Sequence, residues 1–179
     1  NAGKVYRIPT LNDLYWVPGG NPDLKPEEGY TADGTAEYST AKGAFDLNLS
    51  GNLFYKRISN WIQWVPYGVG GYKPINLQEV YSRGSETSWQ IAYAKQKFKV
   101  QLKCITSYVL STVNKTELEG DETLNKQLIY TPRYTINSSL TFKYKTFAIS
   151  YFHNYSGYRY TASDNSVWLQ PYHYSTLRA

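Results

Sequence analysis

Apolar and polar residues alternate one by one along most of this chain. Between positions 45 and 55, Phe45, Leu47, Leu49, Gly51, Leu53 and Tyr55 fall on one side. Asp46, Asn48, Ser50, Asn52 and Phe54 fall on the other. A period of two is that of a β-strand whose faces meet different surroundings. The pattern predicts a strand end over 3–8 and strands over 28–40, 44–58, 76–94, 98–112, 128–144 and 147–160, with a last one beginning near Tyr172. In 98–112, Phe98, Val100, Leu102, Cys104, Thr106, Tyr108 and Leu110 share a face opposite Lys99, Gln101, Lys103 and Ser107. In 128–144 the strand is expected to bend near Pro132, which cannot donate to a ladder.

The connections alternate in length. Ala41-Lys42-Gly43, Lys95-Gln96-Lys97 and Lys145-Thr146 read as tight turns. The stretches 9–27, 59–74, 113–127 and 161–171 read as long loops. Pro9, Pro18, Gly19, Gly20, Pro22 and Pro26 forbid a long regular element in the first of these. The spacing of Thr116 and Glu119 suits one capped helical turn in the third. Two-faced strands of about ten residues, joined alternately by short and long connections, are the pattern of a transmembrane β-barrel wall. The expected fold is therefore all-β, an antiparallel meander of about eight strands. Its first and last segments look truncated, so it reads as a slice of a larger barrel that begins after any leader or is cut from a longer protein.

Composition sharpens this picture. The mean hydropathy is −0.54, and no run approaches the roughly 20 apolar residues of a transmembrane helix. A barrel wall remains compatible, because half of each strand faces a polar lumen. Tyr (19) and Trp (5) are abundant, as expected of rings at a membrane–water interface. The net charge of +5 is spread out. Lys95 and Lys97 sit in a turn, while Lys99 and Lys103 share one strand face. A nucleic-acid footprint needs a denser basic stripe, so no nucleic-acid partner is expected. The single Cys104 excludes an internal disulfide.

Specific motifs lie around the first loop. Arg7-Ile8-Pro9-Thr10-Leu11-Asn12-Asp13-Leu14-Tyr15 is followed by Gly20-Asn21-Pro22-Asp23-Leu24-Lys25-Pro26-Glu27. Together they resemble the paired R-x-P-T-x-x-E/D-L and N-P-x-L-x-P-E signature of TonB-dependent outer-membrane receptors. The order continues in that likeness through Glu37, through Tyr55-Lys56-Arg57-Ile58-Ser59-Asn60-Trp61-Ile62, through Asn76 and Gly84 with Glu86, and through Tyr130-Thr131-Pro132-Arg133. Within the family the nearest likeness is to cobalamin transporters of the Bacteroidetes type, and ferric-siderophore receptors share the same barrel signature. The resemblance implies a barrel of about 22 strands with a plugged lumen. It also implies a Gram-negative outer-membrane location, a large chelate ligand (corrinoid or siderophore), and coupling to TonB through a plug domain that this chain lacks, along with the final strands.

No catalytic constellation, cofactor motif or metal site is read in the sequence. His153 shares a strand face with Phe147, Ile149 and Tyr151, as an interfacial side chain would. Gly68-Val69-Gly70-Gly71 lacks the strand-then-helix context of a nucleotide cradle. Asp121 and Glu122 beside Glu117 and Glu119 read as a solvated acidic loop, with calcium ligation as the sharper alternative. The candidate ligand-contacting residues are Trp16, Trp64, Tyr67 and Tyr72 in the long loops, where aromatic rings offer area at low entropic cost. The 9–27 motif itself reads as structural, with Glu27 accepting backbone hydrogen bonds. Two other classes fit the alternation: a passive pore and a soluble β-sandwich binding module.

Overall fold

The computed structural model describes residues 1–115 and 122–179, with Gln78 described in its backbone only. Among the described residues, ten strands and one short helix occur in the order β1 (Ala2–Arg7), α1 (Leu11–Tyr15), β2 (Glu27–Lys42), β3 (Phe45–Tyr67), β4 (Gly71–Lys95), β5 (Phe98–Lys115), β6 (Tyr134–Tyr144), β7 (Phe147–Ser156), β8 (Arg159–Tyr160), β9 (Trp168–Leu169) and β10 (Tyr172–Arg178). Eight of the strands form one antiparallel sheet, ordered β1-β2-β3-β4-β5-β6-β7-β10, and β8 pairs with β9 in a separate ribbon. The expected all-β meander is thus what the chain forms. The sheet is an open arc with β1 and β10 at its edges.

Register places the alternating residues on common faces. Phe45 pairs with Tyr93, Tyr93 with Val100, Phe98 with Tyr144, and Tyr144 with Phe147. These rings form a row near the tight turns, with centroids 4.8 Å apart for Phe45–Tyr93, 6.0 Å for Tyr93–Phe98 and 5.3 Å for Phe98–Phe142. A second row lies toward the other end, where Tyr55 meets Tyr81 at 5.8 Å and Tyr108 meets Tyr134 at 4.7 Å. Phe98 and Tyr108 are roughly ten residues apart, about 33 Å along a strand at about 3.3 Å per residue. A strand tilt of roughly 40° reduces that to about 25 Å of height, the apolar band of an outer-membrane barrel. Between the rows this face carries Leu49, Leu53, Ile91, Leu102, Leu140 and Ile149, and most of these side chains are exposed. The opposite face carries Asp46, Asn48, Asn52, Glu86, Gln90, Gln101 and Asn137. Among the described residues, no buried aliphatic cluster lies beneath either face of the band. The buried hydrophobic cluster, Val80, Val113 and Leu128, sits near the loop end with Trp61 and Leu77 against it.

The tight turns are two residues long, between Lys42 and Phe45, Lys95 and Phe98, and Tyr144 and Phe147. Each first turn residue has positive φ: 62° at Gly43, 55° at Gln96 and 53° at Lys145. Such turns match the right-handed twist of the flanking strands. Neighbouring turns are tied together, Ala94 N to Ala44 O at 2.8 Å and Lys145 N to Lys97 O at 3.0 Å.

Several boundaries differ from the sequence expectation. The expected 59–74 loop is mostly strand: β3 runs to Tyr67, β4 starts at Gly71, and only residues 68–70 turn, with Gly68 and Gly70 at φ 61° and 73°. Below its exposed tip, both faces of this extension are covered by other loops, so its residues do not alternate in polarity, and the cue for a strand is missing. In the 9–27 loop a helical turn forms after all, because Thr10 caps α1 and Asp13 completes a capping box. The 128–144 strand begins only at Tyr134, after the turn and Thr131-Pro132. The 147–160 strand ends at Ser156, followed by the short β8. The capped turn expected at Thr116–Glu119 and most of the acidic group at 117–122 fall outside the described residues.

Candidate ligand-binding end of the sheet

The loop between β1 and β2 is held down by a connected set of polar side chains. Arg7 closes the β1–β2 ladder opposite Glu27 and donates to it through Nε (2.6 Å) and Nη2 (2.5 Å). The other end of that carboxylate's work is on β3, where Glu27 Oε1 accepts the backbone N–H of Ile62 at 2.8 Å. Glu27 therefore plays the structural part expected of it, joining three strands while 6 % exposed.

Asp13 performs a second junction. Its Oδ2 accepts from Thr10 N (2.9 Å) and Thr10 Oγ1 (2.8 Å), and Arg7 Nη1 lies 3.8 Å away. Its Oδ1 accepts from the indole Nε1 of Trp64 at 2.9 Å. Burial alone would raise the Asp13 pKa, but the hydrogen bonds from Thr10 and Trp64 and the Arg7 charge outweigh it and hold the carboxyl below its ordinary value. Three asparagines finish the clamp. Asn21 Nδ2 donates to Pro74 O at 3.2 Å, and Asn60 Nδ2 donates to Pro26 O at 3.3 Å. Asn76 accepts from Lys25 N (2.8 Å) and donates to Lys25 O (3.1 Å) and Asn60 O (2.7 Å).

The four aromatic candidates all lie at this end, and the structure divides them. Trp64 and Tyr72 are on one face of the β3–β4 hairpin, since Trp64 pairs with Pro74 and Pro66 with Tyr72. A side chain at Gly19 would meet the Tyr72 carbonyl and come within 3.8 Å of the Trp64 ring, so the loop lies directly across both residues. Trp16 ends α1, accepts backbone hydrogen bonds from Gly19 and Gly20, and is 54 % exposed. Tyr67 is on the opposite face of the hairpin tip, exposed, with Lys73 Nζ 4.2 Å above its ring. Tyr72 reaches Tyr130, hydroxyl to hydroxyl, at 3.1 Å. That hydrogen bond, aided by burial, raises the Tyr130 pKa. The opposite hairpin face, with Gln63, Val65, Ile75 and Leu77, borders a cavity of about 100 Å³ closed by Leu128 and Ile129.

The motifs quoted from the sequence include Asn60, Asn76 and Tyr130, but nothing in the sequence placed them together at this end. Each carried a signal in its place in a motif, but the contact of Tyr130 with Tyr72, 58 positions away, left no local trace. His153 lies beside His173, ring centroids 5.7 Å apart, with its Nδ1 2.9 Å from Ser175 Oγ. No group of three or more metal-ligating side chains occurs among the described residues.

A family model described as TonB dependent receptor-like, beta-barrel, matches residues 1–179. The chain belongs to the TonB-dependent receptor β-barrel family. Among curated proteins it is similar to the vitamin B12 transporter BtuB of Photobacterium profundum, 27 % identical over 96 % of this chain and 26 % of that protein. It is also similar to BtuB of Vibrio vulnificus, 32 % identical over 48 % of this chain and 14 % of that protein. Among solved structures, the copper transporter OprC matches 98 % of the chain with a TM-score of 0.67 at 13 % identity, and the chain covers 27 % of it. The ferric yersiniabactin uptake receptor FyuA of Yersinia pestis matches 98 % with a TM-score of 0.60 at 18 % identity, and the chain covers 26 % of it. This TonB-dependent receptor segment therefore spans about a quarter of the length of the P. profundum, OprC and FyuA proteins.

Proposed function

We propose that this TonB-dependent receptor segment forms part of the wall of an outer-membrane transporter that imports a large chelate, a corrinoid above others. The energy comes from TonB, acting through a plug domain outside this chain. The segment performs no chemistry. It seals the membrane with its apolar face, lines the lumen with its polar face, and presents loops to the ligand.

The observation that carries this reading is the band between the two aromatic rows, apolar on one face and polar on the other. A soluble sandwich would bury the apolar face, but Leu53 is 69 % exposed and Tyr38 58 %. Support for a corrinoid comes from the two BtuB relatives. Trp16, Trp64, Tyr67 and Tyr72 are the proposed ligand contacts, with Trp16, Tyr67 and Tyr72 offering exposed ring area and Trp64 backing the loop that carries Trp16.

The test is equilibrium binding of cyanocobalamin and of a ferric siderophore to the whole receptor that contains this segment, purified in detergent. Cyanocobalamin binding that weakens at least tenfold in Trp16→Ala with Tyr72→Ala supports the corrinoid reading. Binding of the ferric siderophore alone moves the substrate to iron chelates. Conductance without binding of either ligand returns the protein to the class of passive pores.

A further inference from the structure

The apolar face changes character at its loop end on β1–β4. Lys4 pairs with Tyr30, Tyr30 with Arg57, and Arg57 with Tyr81, so cations and tyrosines alternate along one row. One step nearer the tight turns, Ala2, Ala32, Tyr55 and Arg83 form the next row. One step nearer the loops, Glu28 lies 4.0 Å from Lys4, and Glu79 holds Arg57 through Nε and Nη2, each at 2.6 Å. Arg83 is exposed, and among the described residues no carboxylate pairs with it. It stands diagonally across the ladder from Arg57, at about 7–8 Å. All of this lies at the level of the upper tyrosine row, where Tyr55 meets Tyr81.

Two clefts open here. One of about 360 Å³ lies between Lys4 and Arg57, walled by Glu28, Tyr30 and Ser59. The other, of about 450 Å³, shares Lys4 and Tyr30 and adds Ala2, Ala32 and Tyr55 on the side nearer the tight turns. Beyond Ala32 the same face carries Gly34, Ala36 and Gly51. A Cβ on either glycine would meet nothing within 4 Å, so a shallow track continues down the band beside the exposed Tyr38 and Leu53.

We propose that the two clefts together seat one phosphorylated lipid with a hydroxyl-bearing headgroup. Its phosphate lies between Lys4 and Arg57 and beside Arg83, and an acyl chain follows Ala32, Gly34 and Gly51. Strands two apart in a sheet set Lys4 and Arg57 about 10 Å from each other at the backbone, a gap that two long side chains close onto one phosphate. Arginine suits a phosphate because its planar fork matches two oxygens at once. Glu28 and Ser59, in the same cleft, take the headgroup hydroxyls. The order of the groups selects a lipid over a free anion. Charge stands at the interfacial level, and the apolar track runs from it toward the middle of the band, as chains run from a headgroup. A free phosphate would fill the first cleft alone and would face Glu28 with no hydroxyl to offer it.

The experiment titrates the whole receptor that contains this segment, in neutral detergent, with phosphatidylglycerol and counts bound lipid by native mass spectrometry. One retained molecule is expected. Its apparent Kd should rise at least tenfold in Lys4→Gln with Arg83→Gln, and as much in Gly34→Leu with Gly51→Leu, which fills the track without touching a charge. Lys95→Gln with Lys97→Gln, at the turn end, should bind as the wild type does. The thermal midpoint without lipid should be the same in all of them, which separates a lost site from a lost fold. No retained molecule, retention by either of the first two variants, or equal affinity for inorganic phosphate overturns the proposal. The site rests on the apolar face meeting lipid. A receptor that inserts into vesicles yet retains no phosphatidylglycerol therefore removes the site and leaves the wall reading standing.

Discussion

Trp64 and Asp13 are joined by one hydrogen bond, indole Nε1 to carboxylate Oδ1 at 2.9 Å, across 51 positions of sequence. Asp13 also completes the capping box of α1 and lies near Arg7, so a single buried carboxylate fixes helix, hairpin and first strand together. Replacing it with Ala removes the carboxylate half of the capping box, worth about 1 kcal/mol, and leaves the indole N–H without its acceptor, at about 1–3 kcal/mol. Asp13→Ala should therefore lower stability by about 2–4 kcal/mol and expose residues 8–26 to protease, as read by denaturant midpoint and limited digestion.

The same carboxylate gives the loop a pH dependence. Its pKa in the folded chain is depressed below the ordinary 3.8. Its contribution is therefore complete above about pH 4 and is lost as pH falls through the lower folded value. Thermal midpoints measured from pH 6 down to pH 3 should fall more steeply below 3.8 in the wild type than in Asp13→Asn.

Gly84 pairs with Phe54 on the polar face, and a Cβ there would overlap the Tyr108 carbonyl oxygen and lie 2.7 Å from the Phe54 ring. The aromatic ring lies over the glycine, and the backbone of β5 fills the remaining space. Gly84→Ala should cost about 1–3 kcal/mol by overpacking. Gly34→Ala meets nothing within 4 Å and should be nearly silent in the same unfolding assay.

Lys145 occupies a left-handed turn position at φ 53°. A non-glycine residue there costs roughly 1–2 kcal/mol. Lys145→Gly should raise stability by about 1 kcal/mol, whereas Gly43→Ala, at φ 62°, should lower it.

Leu102 and Gln101 are adjacent but face opposite ways, paired with Ile91 and Ala92. If the apolar face meets lipid, Leu102→Arg should reduce insertion into bilayers by about 2–4 kcal/mol and Gln101→Arg should not. Equal tolerance of both substitutions in a vesicle-folding assay would remove the membrane assignment.

The alternation in Phe45–Tyr55 and Phe98–Leu110 was enough by itself to determine strands, faces and turns, because each face meets one kind of surrounding and local polarity records it. The short turns at 43, 96 and 145 were likewise legible from local chemistry. Only the tertiary structure decided that β3 and β4 continue to Tyr67 and Gly71, since loops cover both sides of that hairpin and erase the polarity signal. It alone showed that Trp64 is tied to Asp13, that Tyr72 meets Tyr130, and that Lys99 faces Lys143. These relations depend on register between distant segments, and register is set by the whole ladder acting together, which no single stretch of sequence records.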